Sequence, residues 1–373
     1  MRRLEENVST GGKLLRCGYT TGTCAAAATR AAAELLLGRA VPSVVAVETP
    51  AGMTVLVDVE ESERGKDWAR CAVQKDAGDD PDVTDGIMVH ATVRLSDEPG
   101  IAVDGGVGVG RVTKPGLDQP VGAAAINSVP RQMIMTEARE AAEAYGRAGG
   151  LSVCIDIPAG VELAARTFNP RLGIEGGISV LGTSGIVRPM SEDALIASIK
   201  LELGVLRASG ANHVLVVPGN YGRDFAQRNL GLDVSHAVSC SNYLGATIDE
   251  ASRLGFSHML LVGHVGKLVK VAAGIMNTHS RVADGRAEVM AAHAALAGAS
   301  REVVVAIMEA PTTDAMIDVL ANAGLLGQAM ESIMARMAQV LSQRAGDALK
   351  VDAIVFSNTH GVLGRTGFWP KGA

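Results

Sequence analysis

His213-Val214-Leu215-Val216-Val217-Pro218-Gly219-Asn220-Tyr221-Gly222 is the stretch on which the fold turns. An apolar, largely β-branched run ends in small turn formers, and a helix is expected from about Arg223. The pattern repeats downstream. Ala237 to Ser239 precedes a helix over about Asn242 to Leu254, and His258 to Val262 precedes a helix from Lys267. Upstream, Ser191 reads as a cap, Glu192 and Asp193 fill a first turn, and Leu195, Ile196, Ile199, Leu203 and Leu206 recur at helical spacing. Further helices are expected at about Arg286 to Ala297, Asp314 to Ala323 and Met330 to Ser342, with strands at Val303 to Ile307 and Asp352 to Phe356. Such alternation predicts an α/β, Rossmann-like domain over residues 189–373, with a mostly parallel sheet covered by helices.

Residues 1–188 read differently. Val44 to Glu48 and Thr54 to Glu60 alternate as a hairpin, Trp68 to Gln74 and Ile87 to Leu95 continue as strands, and Leu151 to Ile157 and Ile178 to Leu181 add two more. A helix is expected over about Met133 to Tyr145, with Glu137, Glu140 and Glu143 on its exposed side. This half is an α+β domain. At its start, Gly18-Tyr19-Thr20-Thr21-Gly22-Thr23-Cys24 feeds an Ala- and Leu-rich helix. Thr21 or Thr23 is expected to cap that helix, and the turn reads either as an ordinary cap or as a seat for an anion. Asp76, Asp79, Asp80, Asp82 and Asp85 crowd one loop. They repel one another unless solvated or bound, so the loop is either a solvated connection or a place where one carboxylate orients a substrate or a metal; the spacing is not that of an EF-hand.

Composition narrows the function. A formal charge of −6 disfavours nucleic acid as the main partner, while leaving room for a small anionic ligand met by local Arg and Lys. Aromatic residues are only 3% of the chain, so the core must be built from small aliphatic side chains. The five cysteines form no C-x-x-C pair, which disfavours structural zinc and a disulfide framework. No signal peptide and no run of about 20 apolar residues is evident, so a reduced, cytoplasmic protein off the membrane is expected.

The glycine-rich segment Asp104 to Gly116 runs G-x-G-x-G and continues into Lys114-Pro115-Gly116 rather than a helix, so the dinucleotide fingerprint fails on context. Gly263-His264-Val265-Gly266-Lys267 lacks the spacing of a phosphate-binding P-loop, which disfavours ATP chemistry. In open parallel sheets ligands bind at the carboxyl ends of strands. Those ends carry Pro218 to Gly222, Ser239 to Asn242, Gly263 to Lys267 and Ser357 to Gly361, all small and polar, which suits a nucleotide-like ligand. His264, Asn277, His279 and Arg281 are expected to share that cleft, the histidines as contacts.

Several of these segments, in order, resemble the CbiD family, the cobalt-precorrin-5B C(1)-methyltransferases of anaerobic cobalamin synthesis. They are Gly18 to Ala27, Lys75 to Thr84, Asn127 to Arg131, Asn169 to Ile174, Gly182 to Val187, Pro218 to Asn220 and Gly263 to Lys267. The resemblance implies methyl transfer from S-adenosylmethionine to C-1 of a corrin precursor, cobalt entering only as part of the substrate and no metal being held by the protein. With it, Thr20, Thr21, Thr23, Arg131, Arg171 and Arg188 become candidates for holding the macrocycle's carboxylate arms. Gly219, Asn220, Gly222, Gly263, His264, Gly266 and Lys267 become candidates for the donor. No general base is identified; Asp79, Asp80 and His264 are the candidates. Two rivals stay open, a nicotinamide-dependent oxidoreductase acting on a corrin precursor and a non-catalytic corrinoid-binding protein. Self-association is left open.

Overall fold

A helix of alanines can be buried on nearly every side, because methyl side chains let neighbouring backbones come close. Thr21–Gly38 is such a helix: all of its alanines are buried, against a second helix, Ser128–Ala144, and against a sheet. The computed structural model describes residues 2–38 and 40–367. It is a mixed α/β structure that divides into two units, Met1–Glu192 and Asp193–Ala373.

The sheet of the first unit has five strands in the order Glu61–Arg64, Trp68–Gln74, Met88–Ser96, Gly150–Asp156 and Ile101–Gly105. Its pairings are antiparallel except the last, where Gly150–Asp156 and Ile101–Gly105 run parallel. Val44–Glu48 and Thr54–Asp58 form the expected antiparallel hairpin. Three local features differ from the sequence expectation. The helix cap is Thr20, whose Oγ1 accepts from Thr23 N–H at 3.2 Å; Thr21 and Thr23 lie within the first turn, because Thr23 spends its own hydroxyl on the Gly185 carbonyl at 2.7 Å. Glu137 is buried instead of exposed, because Arg30 on the alanine helix reaches across to it and to Glu140. The strand expected at Ile178 to Leu181 is only Gly177–Ile178.

The sheet of the second unit has the order Val238–Ser239, His213–Val217, His258–His264, Lys350–Ser357 and Gly361–Arg365. The first four run parallel and the fifth antiparallel. Both faces are covered. Val214, Val216, Met259 and Leu261 enter one hydrophobic cluster, and Leu215, Val217, Leu260 and Val262 enter another with Phe225 and Ala226 of the helix Asn220–Leu230. Two-sided burial is why these strands read as continuous apolar runs without alternation. The strand expected at Val303 to Ile307 is instead a helix, Arg301–Glu309. Ser300 caps it by accepting from Val303 N–H, Glu302 sits in its first turn, and Ile307 is its buried contact. The helix expected from Lys267 begins at Val265 and, after one turn, continues as a 3-10 helix over Val269–Ala273.

Candidate active site

Taken in chain order, the parallel strands of the second unit lie 2-1-3-4, with the first (His213–Val217) beside the third (His258–His264). From the first strand the chain enters the helix Asn220–Leu230 on one face, and it returns to the third through Leu244–Arg253, which packs on the other. Connections that leave to opposite sides open a crevice at the carboxyl ends of those two strands. A cavity of about 560 Å³ lies there. Pro218, Gly219, Tyr221 and Gly222 line it from the first strand's end, His264, Gly266 and Lys267 from the third's, and Asn358 from beyond Lys350–Ser357.

The glycines make room by different means. A Cβ at Gly219 would meet nothing within 4 Å, and its backbone is extended, at φ 170°. At Gly222 a Cβ would sit 2.7 Å from the Val262 carbonyl oxygen, so the helix Asn220–Leu230 lies on the sheet at a distance that only glycine permits.

Three cations line the cavity, and two are committed. Lys270, buried, donates to the carbonyls of Thr278 and Ala283 and so staples the loop of residues 274–285 beside the cavity. Arg286 forks onto Asp284 at 2.8 and 2.7 Å. Lys267 makes only a long contact, 3.5 Å, to the Ser241 carbonyl. Burial pushes the Lys267 amine below its ordinary value, and neighbouring Lys270 adds to the shift. An ammonium so placed gains from an anionic ligand group. Next to it, Ser241 adopts φ 51°, a left-handed conformation uncommon for a non-glycine residue.

His264 is oriented. Its Nδ1 accepts from Gly266 N–H at 3.1 Å, which assigns the ring proton to Nε2, and Nε2 faces Asp314 Oδ2 at 3.8 Å. The ring also meets Phe356 edge-on.

Of the residues the sequence assigned to a donor, the structure thus gathers Gly219, Gly222, His264, Gly266 and Lys267 around one cavity. Gly263 is buried behind it, and Asn220 opens the adjoining helix without lining it. His279 lines the cavity; Asn277 stands behind, accepting from His279 N–H, and Arg281 does not line it. Lys270, Thr278, Ser280, Arg286, Thr313 and Asp314 are lining residues that sequence reasoning missed, because they come from helix starts and from a loop outside the strand ends.

In the first unit the Thr-rich turn is clasped from three directions. Gly22 N–H donates to Leu181 O, Thr20 N–H to Gly185 O, and Tyr19 N–H to Asp76 O. The acidic loop is partly solvated, with Asp79 and Asp85 exposed, and each of its carboxylates has a partner within the protein. Asp76 takes both guanidinium nitrogens of Arg16 at 2.5 and 2.8 Å, Asp79 accepts from Arg16 N–H, Asp80 from Met190 N–H, and Asp85 from Ala77 N–H. Asp82 pairs with buried Lys75 and with Thr84. Among the described residues no group of His, Cys, Asp or Glu could hold a metal ion. Gly18 and Gly78 allow the closeness, since a Cβ on either would lie 2.3 Å from backbone atoms of the other segment.

The arginines of this unit differ in availability. Arg171 is exposed against the Phe168 ring and Arg188 is exposed, whereas Arg131 is half-buried and donates to the Val103 carbonyl at 2.7 Å. Thr21 and Thr23 are buried; Thr20 is half-buried.

Among the described residues no helix is long and apolar enough to cross a membrane. The CbiD family model matches residues 8–189, and the model of the CbiD C-terminal domain matches residues 277–367. A cobalt-precorrin-5B C(1)-methyltransferase of Ruminiclostridium cellulolyticum is 50% identical over 355 residues, 95% of this chain and 92% of that relative. Proteins of the same name from Thermoanaerobacter sp. and Photorhabdus laumondii are 44% and 45% identical, each over 95% of this chain and over 96% and 93% of their own lengths. A crystal structure of a cobalamin biosynthesis protein, CbiD, from Archaeoglobus fulgidus is 29% identical and covers 74% of this chain and 86% of its own, with a TM-score of 0.40.

Proposed function

The chain belongs to the CbiD family, and from that premise we infer that it methylates C-1 of cobalt-precorrin-5B, with cobalt present as part of the substrate. The activity named for its relatives lends no support to a nicotinamide-dependent reductase or to a non-catalytic carrier. The donor we propose is S-adenosylmethionine, giving cobalt-precorrin-6A, and the site we propose for it is the cavity of the second unit. One observation carries this: the cavity sits at the switch point of the sheet, floored by glycine, with Lys267 as its uncommitted cation. A nucleoside bearing an amino-acid tail fits that chemistry. Its carboxylate finds an ammonium, and its flat portion can approach the bare backbone at Gly219.

Displacement at a sulfonium carbon needs no covalent help from the protein. It needs the carbon nucleophile and the methyl group aligned and dry, which is catalysis by positioning. We read residues 1–188 as an α+β domain and residues 189–373 as an α/β, Rossmann-like domain, the first holding the macrocycle and the second the donor. Thr20, Arg171 and Arg188, with side chains at least partly exposed, are the candidates to meet the carboxylate arms. Arg131 and Thr23 are spent on backbone carbonyls and Thr21 is buried, and Asp79 and Asp80 act as ties of the acidic loop and not as bases. A cytoplasmic setting, away from nucleic acid and membranes, suits a biosynthetic methyltransferase of this charge.

The test is Gly219→Leu, which adds bulk to the cavity at a backbone conformation any residue adopts. Calorimetric affinity for S-adenosylhomocysteine should fall at least about 100-fold, or about 2.7 kcal/mol, with thermal stability kept. Wild-type affinity in the variant, or no binding to the wild type, would overturn the assignment of the donor to this cavity.

A further inference from the structure

Asp314 enters the cavity from the second position of the helix Thr313–Asn322, outside every motif that carries the family resemblance. It is held firmly. Its Oδ1 accepts from the Ser357 hydroxyl at 2.7 Å, and Ser357, fully buried at the end of its strand, in turn accepts from Thr359 and His360 N–H. With Ser357 donating its only proton to Oδ1, the other carboxylate oxygen is left facing the cavity. Opposite stands His264, whose Nε2 carries the ring proton because Nδ1 is occupied as the acceptor of Gly266 N–H. Oδ2 and Nε2 are 3.8 Å apart, too far for a direct hydrogen bond.

The cavity therefore presents, side by side, one fixed acceptor and one fixed donor that do not satisfy each other. A ligand carboxylate would be repelled by Asp314, and an ammonium would offer nothing to His264 N–H. A vicinal diol matches both, since one hydroxyl donates to the carboxylate while its neighbour accepts from the imidazole. Resting on the reading of this cavity as the donor site, we propose that Asp314 and His264 together recognise the ribose 2′,3′-diol of the nucleoside, with Asp314 as the residue that makes the cavity selective for a ribonucleoside. Lys267 then serves the amino-acid tail, and the two ends of the ligand are read by residues of different chemistry.

The experiment titrates S-adenosylhomocysteine and its 2′,3′-dideoxy analogue into the wild type, Asp314→Ala, Asp314→Asn and Gly219→Leu. The wild type should prefer the diol by about 10- to 100-fold, the range of a charge-assisted hydrogen bond. Asp314→Ala should lose most of that preference by weakening only the diol-bearing ligand, while binding the dideoxy analogue as the wild type does. Should Asp314→Ala fail to fold, Asp314→Asn, which keeps an acceptor for Ser357, should reduce the preference by about threefold or more while its thermal unfolding matches the wild type. Equal weakening of both ligands, a preference unchanged in the Asp314 variants, or a wild type indifferent to the diol would each overturn the inference. Wild-type binding by Gly219→Leu would instead overturn the donor reading beneath it, so the two failures are distinguishable.

Discussion

Removing Arg16 should cost more than removing its partner. Asp76 is 4% exposed and Arg16 22%, so the carboxylate is the buried member of the pair and the guanidinium can still reach water. Arg16→Ala leaves Asp76 with the Gly78 N–H, at 3.0 Å, as its remaining side-chain partner. Stranding one charge of a buried pair costs about 3–5 kcal/mol; with that one bond retained, about 2–3 kcal/mol is expected. Asp76→Ala frees a solvated guanidinium and should cost about 1–2 kcal/mol. The pH dependence sharpens the test. Burial pushes the Asp76 carboxyl up, but the Arg16 hydrogen bonds and charge, with Gly78 N–H, outweigh it and hold the group below the usual carboxylate range. In the wild type its contribution is therefore present above about pH 4 and is lost as pH falls through the lowered value. Without Arg16 that lowering is lost, so relative to the wild type the cost of Arg16→Ala should be greater at about pH 7 than at about pH 4. Urea unfolding of both variants at pH 4 and pH 7, at unchanged slope, reads each quantity. An Arg16→Ala cost under about 0.5 kcal/mol, a cost below that of Asp76→Ala, or a cost no greater at about pH 7 than at about pH 4 would refute the reasoning.

Two further outcomes follow from buried groups. Burial pushes the Glu137 carboxyl up to about 7 against the pull of Arg30. The folded chain thus keeps a proton that the unfolded chain releases from about pH 4.5, and stability should decline between there and about pH 7. Glu137→Gln should remove that decline and gain on the order of 2 kcal/mol at pH 8, as read by thermal melts; an unchanged pH profile would count against it. Gly222→Ala should destabilise by about 1–3 kcal/mol, because its Cβ meets the Val262 carbonyl, whereas Gly219→Leu three positions earlier stays within about 0.5 kcal/mol. Equal melting temperatures for the two variants would contradict the packing described.

What could be read from residues alone follows the range of the interaction. The strands at His213, His258 and Asp352 were legible because burial on both faces writes itself as an apolar run, and the hairpin at Val44 because one-sided burial writes itself as alternation. Val303-Val304-Val305 misled for the same reason: β-branched side chains read as a strand, and the competing signal, Ser300 with Glu302 behind it, is a cap that only a helix uses. The tie between Asp76 and Arg16 was not legible, because the two stand 60 residues apart. Glycines and His264 of the cavity were readable as strand ends. Asp314 was readable only as the start of a helix, since its approach to His264 depends on how that helix docks.

The turn that begins the alanine helix has one more consequence, in the time domain of protein synthesis. Thr23 closes its hydroxyl onto Gly185, 162 residues later. At the usual pace of translation, roughly 5–20 residues per second, roughly 8–30 s separate the emergence of the two. Throughout that interval the alanine-rich helix stands without its Gly185 contact, so the first unit completes its fold only after Gly185 has emerged. Synonymous codons that slow translation between them would lengthen the vulnerable period without altering a single residue.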